Sequence, residues 1–354
     1  MKNSSKSIKP NTKTSLITYI ILIVAFVVVQ IMLATGSMSY MMQDLLVPLC
    51  VYAILAVSLN LTVGILGELS LGQAGFMCIG AYSGALFSNL METAIPEAIV
   101  RFPIALLLGG VCAAIFGILI GIPVLRLRGD YLAIVTLAFG EIIKNICAST
   151  YLGKDANGFQ TSLKSVSDMN MANDGEMLIN GALGINGTPH DSNFVIAFII
   201  LFVTVIISYN FVNSRTGRAV MSIRDNKIAA ESIGINITKY KLITFALTAF
   251  LAGVAGVIYS HNFSTLQASK FDYNTSILVL VFVVLGGIGS IRGSVIAAVV
   301  LTLIPELLRD TIVGDYRMLF YAIILISMML FTSNKTLKDK FVGIFSKKKK
   351  GEVK

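Results

Sequence analysis

The sequence predicts an all-α membrane protein, a polytopic bundle of about ten transmembrane helices with both termini in the cytoplasm. Of its 354 residues, 55% are hydrophobic and only 13% are charged, whereas a soluble domain carries roughly 25% charged residues. The apolar residues come in runs of about twenty, which is the length needed to cross a hydrocarbon core of ~30 Å. Alternating segments of about ten residues, typical of transmembrane barrels, are not found.

Ten apolar runs define the predicted spans. They cover 16–34, 44–65, 70–90, 102–125, 131–150, 193–213, 240–260, 275–289, 292–308 and 317–333. The first run follows a basic N-terminus but is longer than the apolar part of a signal peptide, so it is predicted to be a transmembrane helix. Two breaks are short: the polar link "GELS" and the glycine-rich "GGIGSIRG". The latter lacks the strand of a dinucleotide-binding loop and fits a tight turn or a broken helix.

Basic residues assign the sides of the membrane. With ten spans, 21 Lys and Arg residues fall on the side of the termini and six on the other side. Cytoplasmic loops carry the excess of positive charge, so the termini are predicted to be cytoplasmic. The net charge of +9 is therefore interpreted as a topology signal and not as a nucleic-acid-binding surface.

The same pattern divides the chain into regions. A basic cytoplasmic N-terminus, 1–15, precedes the transmembrane domain, 16–334, and a basic cytoplasmic tail, 335–354, follows it. The exterior loop 151–192 is rich in Asn, Gly, Asp and Ser. It is predicted to be either a solvated connector or a docking surface, and both interpretations stay open.

Polar side chains inside the spans mark candidates for a translocation path, because such groups face the protein interior or water. Asn60, Ser70 and Gln73 cluster around the second and third spans. Glu141 and Lys144 lie three residues apart on one face of the fifth span, where they can neutralise each other. This pair is either an internal ion pair or part of the path or its gate. Small residues four apart, such as Gly80 and Gly84, predict close helix packing.

Other residues give no sign of chemistry. The four cysteines lie in apolar runs without metal-ligand spacing, and the two histidines, His190 and His261, are interpreted as ordinary loop residues. No metal site is predicted. The chain has no Walker A sequence, no nucleophile elbow and no HExxH motif. It is therefore predicted not to be an enzyme and to hold no cofactor.

The segment "SIRDNKIAAESIGINITKY" interrupts the apolar pattern within the cytoplasmic stretch 214–239. Its spacing predicts a helix over 226–233, with Asp225 as N-cap, Gly234 as the residue after the helix, and Thr238 as cap of the seventh span. A helix this short is marginal in water, so the bundle or a partner must hold it. It is either a loop with some helicity or a docking helix. Its apolar patch would comprise Ile228, Ala229, Ala230 and Ile233, rimmed by Arg224, Asp225, Lys227 and Glu231.

Four stretches resemble a known family over most of the chain, from about Leu45 to Leu330. They are "SLNLTVGILGELSLGQAGFMCIGAYSGAL", "RLRGDYLAIVTLAFGEIIKNI", "SRTGRAVMSIRDNKIAAESIGIN" and "LVFVVLGGIGSIRGSVIAAVVL". Together they resemble the LivM-type permease subunit of the branched-chain amino acid ABC importers.

The resemblance implies a bacterial plasma (inner) membrane location and several partners. These are a second, LivH-type permease subunit, two ATP-binding subunits that hold ATP and Mg, and an extracytoplasmic substrate-binding protein. It also implies that the segment before the seventh span couples the permease to the ATPase. Ala229, Ala230 and Gly234 match the pattern E-A-A-x-x-x-G of ABC permeases, but Ile228 occupies the position of its glutamate. A docking role is therefore expected without that acidic contact.

Three other functions stay open. The first is an ABC permease for urea, short-chain amides or other amino acids. The second is an ion-coupled secondary transporter that uses Glu141 and Lys144. The third is a membrane scaffold that transports nothing.

Overall fold

The computed structural model describes residues 12–92, 94–125, 127, 129–155, 158–163, 175–307, 322–323 and 326. The helices are α1 Thr12–Ala34, α2 Tyr40–Asn60, a π-helix Leu61–Leu66, α3 Gln73–Met91, α4 Ala98–Val124, α5 Asp130–Ser149, α6 Phe194–Asn213, α7 Arg215–Asp225, α8 Lys227–Ser232, α9 Ile237–Ser260, α10 Tyr273–Gly286 and α11 Ile291–Leu307. The strands are β1 Tyr151–Asp155, β2 Gly158–Ser162, β3 Glu176–Asn180, β4 Ile185–Asn186 and β5 Thr265–Leu266. Two 3₁₀ turns cover Gly181–Leu183 and Ala268–Lys270.

Eight helical segments among the described residues are long and apolar enough to cross a membrane. They correspond to the first eight predicted spans, with boundaries that differ by up to seven residues, and they confirm the class of polytopic helical membrane protein. The predicted ninth span corresponds to α11, which has 17 residues. The tenth, 317–333, lies outside the described residues except for 322–323 and 326. The count of ten and the cytoplasmic termini stay predictions.

Two of the predicted regions are likewise untested. Residues 1–11 of the predicted N-terminal region and the whole predicted tail 335–354 lie outside the described residues.

The bundle has two distinct ends, which α6 and α9 connect. The end that carries α7 and α8 is called the α7–α8 end. The opposite end carries the strands and is called the sheet end. There β1 pairs antiparallel with β2 and β3, and β4 pairs with β5. The sequence analysis did not predict these strands, because runs of two to five residues between Gly and Asn resemble turns in composition.

The centre of the bundle is formed by α2 with the π-helix and by α9. In the apolar 18-residue stretch of α2 and the π-helix, 94% of the residues are buried. In the corresponding stretch of α1, 11% are buried. Glycines allow α9 to approach its neighbours: a β-carbon on Gly80 would lie 2.2 Å from the carbonyl oxygen of Gly253, and one on Gly256 would lie 2.1 Å from that of Met77. The predicted close packing of small residues is confirmed here.

A buried ion pair stabilises the sheet end. Arg101 at the start of α4 donates three bonds to the Asp191 carboxylate, at 2.8, 3.0 and 3.1 Å, and the two side chains are 5% and 8% exposed. Nearby, His261 is buried and shares a 2.7 Å hydrogen bond with Ser88. Burial lowers the pKa of His261, which favours its neutral form. The interpretation of His261 as an ordinary loop residue was therefore wrong. His190 does lie in a loop, where it bonds Ser264.

We expect Gly80→Ala to destabilise the bundle, because the added methyl group would meet the Gly253 backbone, which cannot rotate away. Overpacking of this kind costs about 1–3 kcal/mol. Gly140→Ala is the matched control, since a β-carbon there has its nearest neighbour at 3.7 Å. Thermal unfolding in detergent should show a lower midpoint for Gly80→Ala only. Equal midpoints for the two variants would contradict the packing described for α3 and α9.

Candidate functional site

The link between the π-helix and α3 brings polar groups into the bundle interior. Gln73, the first residue of α3, donates from its side-chain amide to the Ser58 hydroxyl of α2. The N–H of Leu71 donates to Thr136 of α5 at 3.0 Å, and the N–H of Ala74 donates to Ser276 of α10 at 3.0 Å. These bonds satisfy backbone donors that lipid could not satisfy. The first turn of α3 is therefore held by three other helices.

Two predicted path residues, Ser70 and Gln73, lie at this place, and both are buried. The third span was predicted to begin at 70, but α3 begins at Gln73. The start was misplaced because "SLG" has the apolar and small residues of a span, although its backbone is not helical.

Asn60, the third predicted path residue, is buried at the start of the π-helix and joins it to the turn between α10 and α11. Its side-chain oxygen accepts the N–H of Gly289 at 2.8 Å, and its nitrogen donates to Ser294 of α11 at 2.9 Å. A β-carbon on Gly64 would lie 2.3 Å from the Gly289 nitrogen. Gly287 and Gly289 both have positive φ, 96° and 83°, so "GGIGSIRG" is confirmed as a tight turn.

Arg224, near the end of α7, contacts the π-helix from the other side. Its Nη1 donates to the Gly64 carbonyl oxygen at 2.9 Å, and its Nη2 lies 3.1 Å from the Asp225 carboxylate. The last carbonyls of a helix have no partner within it, and Arg224 supplies one. Its aliphatic stem lies so close to Gly67 that a β-carbon there would be 2.6 Å from Arg224 Cγ. Sequence analysis placed Arg224 on the rim of a docking patch and missed this inward contact.

The polar segment folds into two helices and not into the single predicted one. Asp225 ends α7, so its prediction as N-cap was wrong; the cap of α8 is Asn226, whose side-chain oxygen accepts the N–H of Ala229 at 3.1 Å. Asn226 and Asp225 are both good caps, which is why local sequence did not separate them. Gly234 has φ 85° and follows α8 as predicted. Asn236, and not Thr238, caps α9.

The exposed face of α8 differs from the predicted patch at one position. Ile228 and Ile233 are 80% and 74% exposed, and Ala229 is exposed as well. Ala230 is only 2% exposed, so its inclusion in the exposed patch was wrong. It faces the bundle because the preceding α7 turns α8 back onto it. Two large exposed apolar side chains thus remain on α8.

Glu141 and Lys144 form the predicted ion pair on α5. Glu141 also accepts the N–H of Tyr273 at 2.8 Å, so it binds the first turn of α10. The two side chains are a fifth to a quarter exposed. This geometry gives the pair a packing role between α5 and α10, and the path role stays a prediction.

Several polar contacts of the interior were not predicted. They involve Ser58, Thr136, Ser276 and Ser294, together with a salt bridge between Lys241 of α9 and Glu68 of the link. Isolated hydroxyl groups in apolar spans usually bond to their own backbone, so they gave no signal in the sequence. Among the described residues, no group of three or more His, Cys, Asp or Glu side chains could hold a metal ion.

The bundle thus combines isolated buried polar side chains in an apolar core with exposed apolar side chains on α8. The family described as "Branched-chain amino acid transport system / permease component" matches residues 41–329. The chain is similar to the high-affinity branched-chain amino acid transport system permease protein LivM of Salmonella typhimurium and to that of Escherichia coli. Each is 33% identical over 289 residues, which is 79% of this chain and 66% of the relative.

A probable LivM of Methanocaldococcus jannaschii is 26% identical over 295 residues, covering 73% of this chain and 78% of the relative. No solved structure gives a significant match. The chain belongs to the family of branched-chain amino acid transport permease components. It covers slightly less than two thirds of the length of the two bacterial LivM proteins.

We expect the Glu141–Lys144 pair to behave as one packing unit. Glu141→Ala or Lys144→Ala leaves a single charge in an apolar bundle, whereas the double variant leaves none. Each single variant should therefore lower the unfolding midpoint, and the double variant should lose less than the two single losses together. Thermal unfolding of the three variants measures this coupling. Strictly additive losses would show that the two charges do not stabilise each other.

Proposed function

We propose that the chain is the permease subunit of an ATP-driven importer of leucine, isoleucine and valine in a bacterial plasma membrane. The observation that carries this proposal is the match of the permease family to residues 41–329, with LivM proteins 33% identical over 289 residues. The described helices support it, because eight of them are long and apolar enough to cross a membrane.

The energy for transport enters from other chains in this proposal. Two ATP-binding subunits, which hold ATP and Mg, dock at the α7–α8 end, and a second permease subunit completes the membrane part. An extracytoplasmic binding protein delivers the substrate at the sheet end. Closure of the ATPase dimer moves α8, and the helices re-orient so that the path opens on alternate sides. Asn60, Ser70 and Gln73 are the proposed path residues, since all three are polar and buried. Asn60 binds the turn after α10, and Gln73 binds Ser58 of α2.

The docking surface is proposed to be the exposed face of α8. Ile228 and Ile233 are large, apolar and exposed, and they flank Ala229 and Gly234. Apolar anchors in the centre of an interface contribute most of its binding energy. Asp225 lies at the edge of this surface, whereas the Arg224 side chain turns inward and donates to the Gly64 carbonyl.

The double variant Ile228→Asp/Ile233→Asp tests this surface. We expect at least about a tenfold loss of ATP-binding subunit recovered with the permease, because two anchors become charged. Leu183→Asp is the matched control, since Leu183 is also exposed but lies at the sheet end. Undiminished recovery with the double variant would refute docking at α8.

Uptake by the reconstituted importer tests the substrate. Leucine uptake should require ATP, the binding protein and an intact ATPase, and isoleucine and valine should compete with it, whereas urea should not. The ion-coupled alternative predicts uptake that persists without the ATPase subunit and stops when an uncoupler is added. Uptake of urea or short-chain amides alone would replace the proposed substrate while keeping the ABC mechanism.

A further inference from the structure

We infer that the π-helix Leu61–Leu66 is the joint that transmits movement of the docked helices to the bundle interior, and that Arg224 is its positioning residue. This inference rests on the proposed function, because it specifies how an ATP-driven movement at the α7–α8 end reaches the proposed path. It concerns contacts within this chain and not the contacts with the ATPase.

The first link of the joint is between α7 and the π-helix. Arg224 donates to the Gly64 carbonyl oxygen, and its stem covers Gly67. On the same side, Val220 of α7 is fully buried in a cluster with Leu61 and Leu66 of the π-helix. A hydrogen bond and an apolar contact thus hold the two elements together, so that α7 cannot tilt without moving the π-helix or breaking both contacts.

The second link is between the π-helix and the turn after α10. Gly64 lies against Gly289, and Asn60 binds the Gly289 N–H and the Ser294 hydroxyl with the two ends of its amide. One residue, Gly64, therefore contacts Arg224 with its carbonyl and packs against Gly289 at its α-carbon. Arg224 and Gly289 thus contact the same peptide unit, so a displacement of one is expected to move the other.

The third link leads to the proposed path. The turn follows α10, whose first turn carries Ser276, and the Ser276 hydroxyl accepts the N–H of Ala74 in the first turn of α3. The neighbouring Gln73 is bonded to Ser58 of α2. Displacement of the turn is thus passed along α10 to the first turn of α3, where the proposed path residue Gln73 lies.

A π-helix suits this position physically. Its wider turns are less stable than those of an α-helix, and such segments are frequent at functional sites. In this chain the segment ends at Gly67, which has φ 78°, and its last carbonyls depend on partners outside the helix. Because the π-helix relies on Arg224 for such a bond, its backbone can change conformation when Arg224 moves.

The experiment compares Arg224→Ala, Arg224→Lys and the control Arg218→Ala in the complete importer in proteoliposomes. Arg218 lies on the same helix, but its guanidinium donates to the nearby Asn213 carbonyl at 2.8 Å and not to the π-helix. We expect Arg224→Ala to retain the ATP-binding subunit and ATP hydrolysis, while leucine uptake falls about tenfold. Arg224→Lys should recover part of the uptake, since lysine can donate one bond. Arg218→Ala should behave as the wild type.

A second readout does not depend on the substrate. Ile288 lies in the turn and is exposed, so a cysteine there, in a chain whose four native cysteines are replaced by alanine, can be labelled with a maleimide. ATP should change the labelling rate in the wild-type complex and not in Arg224→Ala.

The outcomes separate the joint from the proposed function. Wild-type uptake in Arg224→Ala, loss of the ATP-binding subunit from that variant, or an equal loss in Arg218→Ala would each overturn the role of Arg224 as a positioning residue. The role of Arg224 would also be overturned if ATP left the labelling rate at position 288 unchanged in the wild type. The same holds if ATP changed that rate equally in the wild type and in Arg224→Ala. Absence of leucine uptake by the wild type, with an ATP response at Ile288 that Arg224→Ala abolishes, would contradict only the proposed substrate.

Discussion

The last carbonyl groups of a helix have no partner within the helix and must find one elsewhere. The end of the π-helix meets this constraint with Arg224, which comes from α7 and binds the Gly64 carbonyl. Asn60 completes the arrangement by binding the turn after α10. Since α2 and the π-helix form the most buried span, the same bonds fix the positions of α7, α10 and α11. The architecture of the α7–α8 end follows from them.

This arrangement explains why the polar segment of the chain has two faces. One face, with Val220 and Arg224, is committed to the bundle. The other, with Ile228 and Ile233, stays exposed. A partner that binds the exposed face acts on helices already joined to the interior. The short α8 needs this support, because a six-residue helix is not stable by itself.

The sequence predicted what depends on composition and local spacing. The apolar runs located the first eight spans, the small residues four apart predicted close helix packing, and the i, i+3 spacing located the Glu141–Lys144 pair. Gly234 was placed correctly because a positive φ after a helix strongly favours glycine.

Contacts between distant residues were not predicted, and the reason is physical. Arg224 and Gly64 are 160 residues apart, and Asn60 and Ser294 are 234 apart. Nothing in the local pattern says which helix faces meet. The cap of α8 was predicted wrongly for a related reason. Asp225 and Asn226 can both cap a helix, and only the end of α7 at Asp225 leaves Asn226 as the cap. The strands at the sheet end pair across 185–266 and within 151–180, again through contacts that local spacing does not encode.

Transmission through the π-helix is tested most directly with spin labels at positions 183 and 288. The distance between the two labels is measured in the complete importer with and without ATP. Leu183 lies at the sheet end and Ile288 lies in the turn that Asn60 binds, and both are exposed. We expect ATP to shift the distance distribution in the wild type, and Arg224→Ala to abolish the shift while the ATPase stays bound. The same shift in both proteins would contradict transmission through the π-helix.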